Sequence, residues 1–79
     1  MLEPKYKIGD KVIITLDDKL NKGEHVGTIE IIDRYPKYIT YDVLISDHRH
    51  PSSPNIISEC LCKHYKESEI KPYNINRVI

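Results

Sequence analysis

Three short apolar runs, each cut off by Gly, Pro, Asn or Asp, constrain this chain more than any other feature. In KVIIT (11–15), Val12 and Ile14 fall on one face and Lys11, Ile13 and Thr15 on the other. In VGTIEII (26–32), Ile29 and Ile31 share a face. In ITYDVLIS (39–46), Tyr41, Val43 and Ile45 alternate with Thr40, Asp42 and Leu44. A period of two is that of a strand with one face buried, and no long amphipathic helix competes with it.

The breakers place the remaining elements. Residues 1–7 read as an arm, because Pro4 blocks an early helix. Ile8-Gly9-Asp10 reads as a turn: Gly supplies the permissive backbone angles and Asp bonds its own backbone. DDKLNKGEH (17–25) is a polar loop, and Gly27 inside the second run signals a bulge or a close backbone approach. DRYPKY (33–38) is a connection. DHRHPSSPN (47–55), with two prolines and two serines, is a longer loop. IISECLCKHY (56–65) supplies a fourth strand, KESEI (66–70) a single helical turn, and IKPY a short fifth strand. The tail NINRVI (74–79) is apolar enough to pack or pair. Five evenly spaced short strands predict an all-β barrel or sandwich, with a core of Val12, Ile14, Ile29, Ile31, Val43, Ile45, Leu61 and Ile70.

At 79 residues the chain is one domain, 1–79, too small for a cleft between two domains. Twelve basic and twelve acidic residues give a formal net charge of +0, which opposes the basic footprint of most nucleic-acid binders. Asp17-Asp18 is the densest acid. His48-Arg49-His50 and Lys63-His64 become the densest base if folding brings them together. No apolar run reaches 18 residues and no signal-peptide core begins the chain, so a cytoplasmic, non-membrane protein is expected. Cys60 and Cys62 fit a reducing compartment.

The order of these segments resembles SH3-like barrels of bacterial and phage proteins. The likeness rests on Y-x-I-G-D-x-V-x-I, KGEHVGTIEII, YDVLI and YKESEIKPY, and spans residues 5–73. It implies a small five-stranded barrel with one helical turn before the last strand, a fold that hosts many binding roles. Gly23 to Ile29 also resembles the KOW motif of ribosomal proteins and elongation factors. That likeness implies RNA or ribosome contacts carried over onto Lys22, Gly23, Gly27 and Ile29. The spacing is one residue long here, and Glu24 with Asp17-Asp18 adds acid to the same loop.

Two constellations could carry chemistry. Cys60-x-Cys62-x-His64 would share one face of a regular strand, with residue types that ligate zinc. A flat C-x-C strand brings two thiolates to one ion less readily than a knuckle does, so no metal or cofactor is expected, and this trio is the alternative. No catalytic set accompanies a cysteine or a carboxylate pair, and a non-enzyme is expected. The second constellation is tyrosine, six copies with no Phe or Trp. Tyr41 and Tyr65 read as core residues with exposed hydroxyls. Tyr35 and Tyr38, flanking Pro36 beside Arg34, read as surface residues. With His48, Arg49 and His50 they form the expected binding set, because Tyr and Arg dominate interface hot spots and binding residues collect on loops. The expected function is a protein–protein adaptor or a phage-type regulator of a host protein. The alternative is a KOW-like RNA-associated module.

Overall fold

The computed structural model describes residues 2–73; the tail at 74–79 lies outside them. Five antiparallel strands form one sheet: β1 (Lys11–Leu16), β2 (Gly23–Arg34), β3 (Ile39–His50), β4 (Ser53–Lys66) and β5 (Ile70–Pro72). A 3-10 turn at Glu67–Glu69 precedes β5. The order is β4-β3-β2-β1-β5, so β4 and β5 are the two edges and the hydrogen bonding does not close between them.

The strands are longer than their apolar runs. β2 starts at Gly23, inside the expected 17–25 loop. The expected 47–55 loop is mostly strand: His50 pairs with Ser53 across a two-residue turn. Both prolines are compatible with pairing. Pro51 occupies the turn, and Pro54 lies on an edge strand, where an absent N–H need not be missed. This hairpin runs beyond the core, and Ile56 and Ile57 near its tip are 58% and 53% exposed.

Six of the eight expected core positions are buried together: Val12, Ile14, Ile29, Val43, Ile45 and Ile70. Ile31 is not. Ile29 pairs with Val43 and Ile31 with Asp42, which leaves Glu30 as the extra residue of a β-bulge. One added residue exchanges the faces of all that follow, so Ile32 packs against the core and Ile31 is 41% exposed. Leu61 is half-buried opposite Leu44, and its neighbours Cys60 and Cys62 face the core instead.

The N-terminal arm is part of the core. Tyr6 is buried, its ring edge-on to Tyr41 at 5.5 Å and 80°, and its hydroxyl donates to the Ile70 carbonyl at 3.3 Å. Tyr41 is fully buried, and its hydroxyl is not exposed as expected. It donates to Glu67 Oε2 at 2.7 Å and accepts the Lys5 N–H at 3.0 Å. The next residues form the expected turn: Asp10 N–H donates to the Lys7 carbonyl, and Asp10 Oδ2 accepts the Lys7 N–H. Gly9 takes φ +92°, which glycine adopts without steric cost.

Gly27 marks a close approach rather than a bulge. A Cβ there would lie 2.5 Å from Val43 Cγ1 and 2.9 Å from the Leu44 carbonyl oxygen. Gly27→Ala should therefore destabilise the protein by about 1–3 kcal/mol through overpacking. Tyr6→Ala should cost about 3–5 kcal/mol, the range for emptying a buried aromatic site. Both are read as lower urea midpoints in equilibrium unfolding; a wild-type midpoint for Tyr6→Ala would mean that the arm is not part of the folded core.

Candidate functional site

The β2–β3 turn is built by its own sequence. Arg34 pairs with Ile39, and the Tyr35 N–H donates to the Tyr38 carbonyl at 2.9 Å. That closes a four-residue loop around Pro36 and Lys37. The closure brings the Tyr35 and Tyr38 rings into a stack, centroids 4.7 Å apart and planes 25° apart. Both remain more than 40% exposed. Arg34, Tyr35 and Pro36 line an open groove of about 550 Å³, whose remaining wall is Leu2 of the N-terminal arm. Leu2 was not expected at this place; only the docking of Tyr6 carries the arm's start to the β2–β3 turn.

His48, Arg49 and His50 lie toward the other end of β3. Ten residues separate Tyr38 from His48, roughly 33 Å of extended strand, so the two halves of the expected binding set do not meet. The distal half is largely engaged within the fold. Asn21, buried in the β1–β2 loop, accepts the Arg49 N–H at 2.7 Å and donates to the Arg49 carbonyl at 3.1 Å. It also lies 3.3 Å from His48 Nε2. The Arg49 guanidinium donates to the Pro54 carbonyl, and His50 Nδ1 accepts the Ser52 N–H. The expected gathering of His48–His50 with Lys63-His64 does not occur either, since His48 pairs with Ser58 and Lys63 is five residues further along β4.

The Cys60-Cys62-His64 face is broken by a second bulge. Tyr41 pairs with Tyr65 and Val43 with Cys62, so Lys63 and His64 together oppose Asp42. His64 takes φ 66°, and the two thiols remain on the core side while His64 lies on the opposite one. Burial, then the neighbouring Cys60, pushes the Cys62 thiol up to about 12, away from the thiolate that nucleophilic attack requires. His64 instead meets Asp42: its N–H donates to Asp42 Oδ1 at 3.1 Å, and its Nδ1 lies 3.7 Å from the same oxygen. Asp33 completes this group from β2.

Three of the four positions of the KOW-like segment have backbone or core roles. Ile29 is in the core, Gly27 makes room for Val43, and Gly23 takes φ +119°. Lys22 is exposed. Comparison with protein-family models, curated proteins and solved structures finds no match. Among the described residues no helix is long and apolar enough to cross a membrane.

Two titratable groups give the fold opposite pH limits. Burial lowers the pKa of His25, but bonds to the Asn21 carbonyl and the Asp47 carboxylate outweigh it and hold the ring above its ordinary 6.5. Both ring nitrogens face acceptors, at 2.6 and 2.9 Å, as an imidazolium requires. The Tyr41 hydroxyl, then the Lys5 N–H, holds Glu67 below its ordinary 4.5. A raised histidine stabilises the fold below 6.5 and loses that contribution as pH rises through its folded pKa; a depressed carboxylate stabilises above 4.5 and loses its contribution as pH falls. Their combined contribution is therefore fullest between 4.5 and 6.5. Melting temperatures measured across pH should decline on both sides of that window. Relative to wild type, His25→Gln should flatten the alkaline decline and Glu67→Gln the acid one.

Proposed function

We propose that this protein is a non-catalytic binding module, a small partly open SH3-like barrel that engages another protein and regulates it. A chain of bacterial or phage type acting in a reducing, cytoplasmic setting suits two free cysteines. The barrel reading is supported by the way the 3-10 turn carries the chain from edge β4 to edge β5, with Glu67 bonded to Tyr41 of β3.

The observation that carries the proposal is the exposed Tyr35–Tyr38 stack beside Arg34, with Leu2 and Pro36 walling the adjoining groove. Two large aromatic faces are held in place by a four-residue turn, so little side-chain freedom remains to be lost on binding. Tyr and Arg are among the residue types most enriched at interface hot spots, where truncation costs about 2 kcal/mol or more. Net neutrality favours a protein partner over a polyanion.

The test is capture of partners from the native host with wild-type protein and with Tyr35→Ala/Tyr38→Ala, the variant first shown to melt like wild type. A partner held through this tip should be lost from the variant, by at least about thirtyfold in affinity for a 2 kcal/mol anchor. Undiminished capture would place the interface elsewhere. An RNA recovered in place of a protein, with affinity falling steeply as salt rises, would favour the KOW-like alternative.

A further inference from the structure

The sheet face opposite the core gathers a second group of side chains that the binding role does not use. Asp33, Asp42 and His64 each direct one donor atom into a common space, with all three atoms within 4.8 Å of one another. Asp42 and His64 lie together because of the β4 bulge; Asp33 is brought alongside by β2–β3 pairing, in which Ile31 meets Asp42 and Asp33 meets Thr40. The side chain of Asp42 is only 5% exposed. Its one hydrogen bond among the described residues comes from the His64 N–H to Oδ1. No Lys or Arg head group among those residues pairs with either carboxylate. A second, independent feature adjoins these residues in the strand register. Thr40, directly opposite Asp33 and two residues before Asp42 on the same face, has a buried hydroxyl with no hydrogen-bond partner among the described residues. A buried carboxylate without a full set of donors and a buried orphan hydroxyl are both costly unless something polar or charged satisfies them.

We propose that Asp33, Asp42 and His64 bind a divalent first-row transition-metal ion, of which Zn²⁺ is the representative. Two carboxylate oxygens and one imidazole nitrogen form a mixed donor set that suits such an ion. Ca²⁺ would require six to eight oxygens, and Mg²⁺ gives up its waters reluctantly. Zinc bonds to these donors run about 2.0–2.2 Å, so two ligands on one ion are separated by roughly 3–4 Å. Asp42 Oδ1 and His64 Nδ1, 3.7 Å apart, already satisfy this. His64, with a side chain 62% exposed, is free to close the remaining gap. Three protein ligands leave a coordination position for water. The ion would neutralise two adjacent carboxylates and tie β2, β3 and β4 together on the face away from the core. Folding does not depend on it, because the hydrophobic core lies on the other side of the sheet.

The experiment uses the full chain stripped with EDTA, then titrated with Zn²⁺ alone by calorimetry and with Co²⁺ by absorption. Wild type should take up one equivalent and melt at a higher temperature with the ion present. His64→Asn, which keeps a residue tolerant of positive φ, and Asp33→Asn should each weaken binding by at least about tenfold, since even outer-shell partners of a metal are worth about 10–100-fold. Cys60→Ser/Cys62→Ser and His48→Gln/His50→Gln should bind like wild type, and the Co²⁺ complex should show no thiolate charge-transfer band. The proposal is overturned if wild type takes up no stoichiometric ion. It is equally overturned if the Asp33 and His64 variants bind unchanged, or if binding is lost with the Cys or His48/His50 pair. None of these readouts involves the Tyr35–Tyr38 surface, so the two proposals stand or fall separately.

Discussion

The Tyr41 hydroxyl is the contact on which the most separate parts of this fold converge. Its ring is fully buried in β3, its O–H donates to Glu67 on the 3-10 turn, and its lone pairs receive N–H groups from Lys5 and Tyr6. Three segments far apart in sequence therefore meet at one phenolic oxygen. A buried hydroxyl left unpaired would cost about 1–3 kcal/mol; here the turn supplies its acceptor and the arm its donors. Docking the arm brings Leu2 against the β2–β3 turn. One wall of the proposed groove, Leu2, is thus supplied by an arm held through hydrogen bonds to Tyr41.

Two of the sheet's register shifts, at Glu30 and at Lys63-His64, have consequences as large as those of the core. Each inserts one residue and reverses which side of the sheet the following side chains occupy. At Glu30 the reversal sends Ile31 outward and Ile32 inward. At Lys63-His64 it separates the imidazole from Cys60 and Cys62 and delivers it to Asp42. The chemistry available on the outer face, two carboxylates with an imidazole rather than two thiols with an imidazole, follows from that single extra residue.

The two ends of the β3 hairpins have different characters. At the β2–β3 turn, four residues close on themselves and leave two aromatic faces to solvent. At the β3–β4 end, Asn21 reproduces a strand's hydrogen bonding with its side-chain amide and bonds both backbone groups of Arg49. Polar groups there are spent on holding the β1–β2 loop against β3, and His25 joins the same network through the Asn21 carbonyl and the Asp47 carboxylate. Chemically similar loops in the sequence thus divide into one that presents its side chains and one that consumes them.

The number of strands and their succession along the chain, the turn at Ile8-Gly9-Asp10, six core positions and the exposure of Tyr35 and Tyr38 were legible in the sequence. All of these are local: period-two alternation, a glycine or proline at a turn, and an aromatic beside a breaker act within a few residues. Tertiary structure decided the rest. A bulge is defined only against a partner strand, so the faces of Ile31 and His64 could not be read from alternation alone, and pairing with β3 decides that Cys60 and Cys62 rather than Leu61 meet the core. Tyr6 lies outside any alternating run, and its burial depends on Tyr41 and Ile70, respectively 35 and 64 residues away. The Asp33–Asp42–His64 group has no sequence spacing to announce it, because three strands supply one residue each and only their register brings the donors together.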